Sequence, residues 1–337
     1  MDAISDATVS PPWSVLEFTF HSQNTDSEFV VMCNYRQFIL SASADCFSQS
    51  PALKDKYLFF LKVADNHELD GYTLEDFYDW IIEPLLPEFR QLPETTSTLT
   101  LQHFIFPKTQ RYDIQGDGDQ LVAVPSKDNS EITPIFGIQL PEETCAAWPS
   151  YDPKEIQLPQ ERNTHGPPSY TPSRVLLKDG KSAFFKPMRH GDEKRFTNEI
   201  EKYKSIQDAD LTESLRISRL IGLVQDDTDR VFGLLLTFID CGHRTLLCAA
   251  KPDTSRDLRQ RWSQQVNDAV RQLHAAGVIW GDAKPDNVLV DQKNDAWLID
   301  FGGGYTNGWV SKELSGTVEG DLQGLEKINE FLLHGSL

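Results

Sequence analysis

Asp282 and Asp300 lie eighteen residues apart, with two short apolar runs between them. The runs are "NVLVD" (287–291) and "AWLID" (296–300), which read as strands joined by a polar turn. Asn287 opens one strand and Asp300 closes the other. A hairpin therefore brings an amide and a carboxylate together from opposite strands. That pair of oxygen ligands suits Mg²⁺, a hard cation that keeps waters and takes the rest of its shell from phosphates. Asp282, in the preceding loop, is placed to accept a proton from an attacking hydroxyl. Lys284, two residues on, is placed to neutralise a moving phosphoryl group.

The elements before this stretch have a definite order. "RVLLKDGKSAFFK" (174–186) reads as a hairpin around an Asp-Gly turn, and "KRFTNEIEKYKSI" (194–206) as a helix. Residues 216–239 give two more strands around an acidic turn. Residues 255–277 form a long helix, with Leu258, Trp262, Val266, Ala269, Val270 and Leu273 on one face and Gly277 as the stop.

The stretch from Asp282 resembles the catalytic loop and metal-binding segment of the eukaryotic protein kinase-like superfamily. "D-A-K-P-D-N" is similar to that family's D-x-K-P-x-N, and "D-F-G" (300–302) to its metal-binding triplet. The resemblance covers roughly residues 130–337 and is closest to short kinase-like proteins of filamentous fungi, on the blocks "WGDAKPDNVLVD", "DFGGGYT" and "EGDLQGLEKI". It implies an α+β, two-lobed kinase-like fold that uses ATP and Mg²⁺. It also implies a strand lysine that holds the nucleotide phosphates and pairs with a helix glutamate. Lys186, at the end of "SAFFK", matches the lysine. Of Glu199 and Glu201, Glu199 shares the apolar face of Phe196 and Tyr203, and an inward carboxylate needs a cation. Glu199 is the expected partner. "LLLTFIDCG" (234–242) resembles the strand and hinge that carry adenine, although a plain core strand fits the same letters.

Four departures from the family pattern stand out. Residues 163–177, "NTHGPPSYTPSRVLL", hold one glycine and three prolines in place of a glycine-rich phosphate loop. Trp280 and Gly281 stand where the family usually has His and Arg. The arginine usually answers a phosphorylated activation loop, so switching of that kind is not expected here, and Trp280 is expected to pack in place of the histidine. No A-P-E follows, and the chain ends 35 residues after Gly302. A truncated helical C-lobe is therefore expected, with a last helix over 317–333. In it, Asp321 either braces the catalytic loop from below, as the resemblance implies, or caps the helix.

Upstream, residues 1–12 read as disordered, 13–40 as strands and 73–92 as a helix opened by a Thr73/Asp76 capping box and broken by Pro84 and Pro87. "DIQGDGD" (113–119) looks like the start of a calcium loop. Val124 stands where the loop needs a glutamate, so a plain turn is the better reading. The proline-rich residues 141–172 read as an irregular connector. The expected division is 1–125, an extra N-terminal α/β region of unassigned function; 126–240, an N-lobe with its connector; and 241–337, a short C-lobe.

A net charge of −19 disfavours nucleic acid and anionic membrane as partners, because both need a cationic footprint. Five scattered cysteines read as reduced thiols, and no signal peptide or membrane span is visible, so a cytoplasmic or nuclear location is expected. The leading expectation is γ-phosphate transfer from ATP to a hydroxyl. Lys186 and Glu199 would align the phosphates, Asn287 and Asp300 would hold metal, Asp282 would orient or deprotonate the acceptor, and Lys284 would stabilise charge. The acceptor is an unidentified protein Ser/Thr or small-molecule alcohol. A nucleotide-binding pseudokinase acting as an interaction module is the alternative.

Overall fold

The computed structural model describes residues 11–21, 23–93, 98–128, 134–159 and 171–334. Most of the segment expected to be disordered, and residues 163–170 of the expected phosphate loop, lie outside them. The described residues divide into two compact units, one holding those up to 128 together with 171–172 and the other 134–159 and 173–334.

The first unit is a sheet with helices packed on it. Its elements are β1 (Trp13–Phe20), β2 (Ser27–Cys33), β3 (Arg36–Ala42), α1 (Pro51–Asn66), β4 (Glu68–Leu69), β5 (Tyr72–Thr73), α2 (Leu74–Ile82), α3 (Leu86–Arg90), α4 (Leu101–Ile105), β6 (Lys108–Asp117) and β7 (Gln120–Pro125). The sheet order is β1-β2-β3-β6-β7, and only β3 and β6 run parallel. β2 and β3 bury nearly every residue, as strands covered on both faces must. An aromatic cluster of Phe29, Phe60, Phe77 and Trp80 joins the sheet to α1 and α2. The capping box opens α2, with Thr73 N donating to Asp76 Oδ2 at 2.8 Å. Pro84 and Pro87, each lacking an amide proton, split the following chain into a 3₁₀ turn and α3. Asp113 and Val124 are cross-strand partners in the β6–β7 hairpin, whose turn is Gly118–Asp119. Among the described residues no group of three or more His, Cys, Asp or Glu could hold a metal ion.

The second unit opens before the proline-rich segment with β8 (Ile138–Gln139). The segment itself is less irregular than expected over its described part, with α5 (Glu142–Cys145) and β9 (Ser150–Tyr151). β8 pairs with a strand more than 90 residues away, so its partner, not its own sequence, makes it a strand. Then come β10 (Arg174–Leu176), β11 (Ser182–Pro187), α6 (Glu193–Asp208), β12 (Leu220–Gln225), β13 (Arg230–Thr237), α7 (Leu246–Ala249), α8 (Arg256–Ala275), β14 (Val288–Val290), β15 (Ala296–Leu298) and α9 (Val318–His334). The main sheet has the order β10-β11-β13-β12-β9. Gly180, at φ +82°, makes the turn before β11.

α8 starts where the Ser255 side chain accepts the amide of Leu258, and its buried face carries Trp262, Val266, Ala269, Val270 and Leu273. That face packs on α9 and on the β14–β15 hairpin. Trp262 Nε1 donates to Asn294 O in the hairpin turn at 3.0 Å. One continuous apolar core runs from α6 and the sheet through α8 to α9. No helix among the described residues is long and apolar enough to cross a membrane.

Candidate active site

β11 sets the first half of the site. Ala183 and Phe185 point into the core, which leaves Lys186 on the other face. Its Nζ donates to both Glu199 oxygens at 2.8 Å and to Asp300 Oδ1 at 2.9 Å. Glu199 is fully buried on α6 among Phe196, Ile200 and Tyr203, whereas Glu201 is exposed. Burial pushes the Glu199 carboxyl up, and Lys186 opposes that shift. Asp300 also resists ionisation through burial. Lys186 and Arg195 outweigh that and hold its carboxyl below the usual carboxylate range. Arg195 Nη2 donates to Asp300 Oδ2 at 3.2 Å. Asp300 has φ +58°, a left-handed conformation that costs a non-glycine residue on the order of 1 kcal/mol.

The loop between α8 and β14 forms the second half. Lys284 Nζ lies 2.7 Å from Asp282 Oδ2. Asn287 Nδ2 donates to the Asp282 carbonyl at 2.9 Å and to its Oδ2 at 3.0 Å. Thr306 Oγ1 donates to Asp282 Oδ1 at 3.2 Å and accepts from Lys284 Nζ at 2.8 Å. Asp282 and Asn287 are both buried. Ile299 N donates to Asn287 O at 3.0 Å, so hairpin pairing sets Asn287 beside the residue that precedes Asp300.

The loop is held from beneath by α9. Asp321, almost fully buried, accepts the amides of Trp280 and Gly281, both at 2.7 Å, and contacts His274 Nε2 at 2.8 Å. Thr317 Oγ1 accepts the Gly320 amide at the start of α9. Asp321 is therefore spent on the loop, not on capping its own helix. Trp280 is fully buried and donates Nε1 to Ile299 O at 2.9 Å, which ties the loop to the hairpin. Lys202 of α6 donates Nζ to Trp280 O at 3.2 Å. Burial lowers the pKa of this amine, against the pull of Asp321, Glu199 and Asp300.

All six residues singled out in the sequence thus fall into two clusters, Lys186–Glu199–Asp300 and Asp282–Lys284–Asn287. Arg195, Lys202 and Thr306 join them without having been anticipated. Arg195 and Lys202 did carry a signal, since they lie four before and three after Glu199 on the same helical face. Thr306 carried none beyond being polar in the glycine-rich run "GGGYTNG". Asp300 and Asn287, one carboxylate and one amide in separate clusters, are oxygen donors of the kind magnesium takes. Mg²⁺ is held in this way, by one or two protein oxygens plus phosphates, and not by an all-protein cage. In the segment expected to carry adenine, β13 ends at Thr237 and Asp240 O accepts the amide of Gln292.

Residues 177–317 match the family model of the protein kinase domain. A 69-residue stretch is 39% identical to CBL-interacting protein kinase 17 of Oryza sativa subsp. japonica, covering 20% of this chain and 15% of that one. Over 118 residues the chain is 31% identical to the serine/threonine-protein kinase PKH2 of Saccharomyces cerevisiae, covering 33% of this chain and 11% of that one. Over 107 residues it is 29% identical to the serine/threonine-protein kinase RAD53 of the same yeast, covering 31% and 13%. The chain therefore spans less than a sixth of the length of each of these relatives. Its mixed α and β content is consistent with a two-lobed kinase fold. The match over 177–317 and the partial relatives make this part of the chain similar to the protein kinase-like superfamily.

Proposed function

We propose that the second unit is an ATP- and Mg²⁺-dependent phosphotransferase that moves the γ-phosphoryl group to a hydroxyl. The observation that carries this reading is the hydroxyl already seated on Asp282. Thr306 Oγ1 donates to Asp282 Oδ1 and accepts from Lys284 Nζ, so an alcohol fits between base and cation. An acceptor hydroxyl in that position gives its proton to Asp282, and Lys284 balances charge on the transferring group. Asn287 keeps the Asp282 carboxylate in place through its amide nitrogen and has an amide oxygen for metal. Lys186, fixed by Glu199, binds the nucleotide phosphates. Bound Mg²⁺ would be held by Asn287 and Asp300 and would supply charge neutralisation between the phosphates. A protein Ser/Thr side chain is the acceptor suggested by the serine/threonine kinases among the relatives, and a small-molecule alcohol is the alternative.

A pseudokinase is favoured by one observation, the occupation of both Asp300 oxygens by protein cations. The deciding experiment is transfer of labelled γ-phosphate from Mg-ATP to the protein itself, to generic protein acceptors and to small alcohols. Wild type is compared with folded Asp282→Asn. Transfer lost in the variant supports catalysis. Tight Mg-ATP binding with no transfer to any acceptor, and no difference between the two proteins, supports the pseudokinase.

A further inference from the structure

We propose that Arg195 is a ligand of the nucleotide's terminal phosphate, resting on Asp300 until Mg-ATP arrives. The inference deepens the phosphotransferase reading and rests on its assignment of Asp300 as a metal ligand. Asp300 offers two oxygens, and Lys186 takes Oδ1 while Arg195 takes Oδ2. A metal ion on this carboxylate meets two protein cations already there, and like-charge repulsion falls hardest on the one less firmly held. Lys186 is anchored by two further bonds to the buried Glu199. Among the described residues Arg195 is held by a single bond at 3.2 Å, and its side chain is 49% exposed. Arg195 is therefore the cation that leaves.

Where it goes follows from its position. Arg195 sits in the first turn of α6, and its Nε lies 3.3 Å from the point a Cβ would occupy at Gly302, against the Asp300–Gly302 segment. A displaced guanidinium remains tethered beside the metal position, where the nucleotide's terminal phosphate is the nearest new anion. Its planar fork matches phosphate oxygens in pairs. The sequence also leaves this task open. Residues 163–177 carry one glycine and three prolines where a kinase-like chain usually has an amide-rich loop around the phosphates. A side-chain cation from α6 makes up for donors that this loop composition supplies poorly.

The test is direct binding of Mg-ATP, Mg-ADP and adenosine by calorimetry to the full chain as wild type, Arg195→Ala and Arg195→Lys. Melting curves check that each variant is folded. The expected result is a loss of about tenfold or more in Mg-ATP affinity for Arg195→Ala. Mg-ADP should lose less, adenosine should be unchanged, and Arg195→Lys should recover part of the loss as a point charge. Unchanged or improved Mg-ATP binding would mean that Arg195 only competes for Asp300, and would overturn the proposal. Equal losses for all three ligands would also overturn it, by showing a general disturbance of α6. If wild type binds Mg-ATP while the proposal fails, the phosphotransferase reading stands. If wild type binds no nucleotide, both fall.

Discussion

Lys202 Nζ lies 2.6 Å from the point a Cβ would occupy at Gly281. The absence of a side chain at 281 is therefore matched by a cation that arrives from α6. Gly281 also has φ +93°, a region that strains any L residue. Gly281→Ala should cost about 1–3 kcal/mol in urea unfolding. Adding Lys202→Met should recover the part due to the steric clash but not the part due to φ. A double-mutant cycle with zero coupling would show that the lysine end simply moves aside.

Asp321 is the acceptor for two consecutive buried amides. Asp321→Ala leaves both without a partner, at about 1–3 kcal/mol for each unsatisfied group. Asp321→Asn keeps one acceptor oxygen and should fall between the two. Thermal melts rank the three proteins, and a wild-type Tm for Asp321→Ala would contradict the brace.

Removing Lys186 strands a buried carboxylate. Lys186→Met should destabilise the metal-free protein by about 3–5 kcal/mol, because among the described residues Lys186 is the cation bonded to the buried Glu199. Glu199→Gln in the same chain should restore much of that loss, since a neutral amide tolerates burial better. Denaturant midpoints of the two singles and the double decide it. A double variant no more stable than Lys186→Met would place the cost elsewhere.

Acid should loosen the β14–β15 hairpin from α8 through Asp295. Burial works against this carboxylate. Gln265 and Arg261, with Arg216 further off at 3.3 Å, outweigh that and hold its carboxyl below the usual range. A carboxylate depressed in the folded state stabilises the protein above its unfolded pKa, and that contribution is lost as pH falls through the folded one. Urea midpoints taken between about pH 6 and pH 3 should therefore fall more steeply for wild type than for Asp295→Asn. Parallel curves would remove Asp295 from the acid response.

Local periodicity made some of this chain legible. α8 could be read from its apolar face, and the hairpin before Lys186 from its Asp-Gly turn. The inward position of Glu199 followed from the face it shares with Phe196 and Tyr203. α1 carries a comparable pattern at Leu53, Tyr57, Phe60, Leu61 and Ala64, but the unbroken apolar run Leu58–Leu61 masks it. Two-residue strands such as β8 have no period to read, since distant partners create them. Thr306 meets Asp282 across 24 residues of chain, and no local rule foretells such a contact. The choice between brace and cap for Asp321 likewise needed α9 to be seen packed against the loop.

Arg195, Glu199 and Lys202 stand on one face of α6, spaced four and three residues apart, over about 10 Å of helix. They reach three different places: Asp300, Lys186 and the carbonyl of Trp280. Each side chain can swing by itself, as Arg195 does, but one rod carries all three, so a movement of the helix backbone displaces them together. Rolling α6 by a single residue, roughly 100° about its axis, would withdraw the whole row together. A shift of α6 as a body would thus be felt at Asp300, at Lys186 and at the Trp280 carbonyl at once.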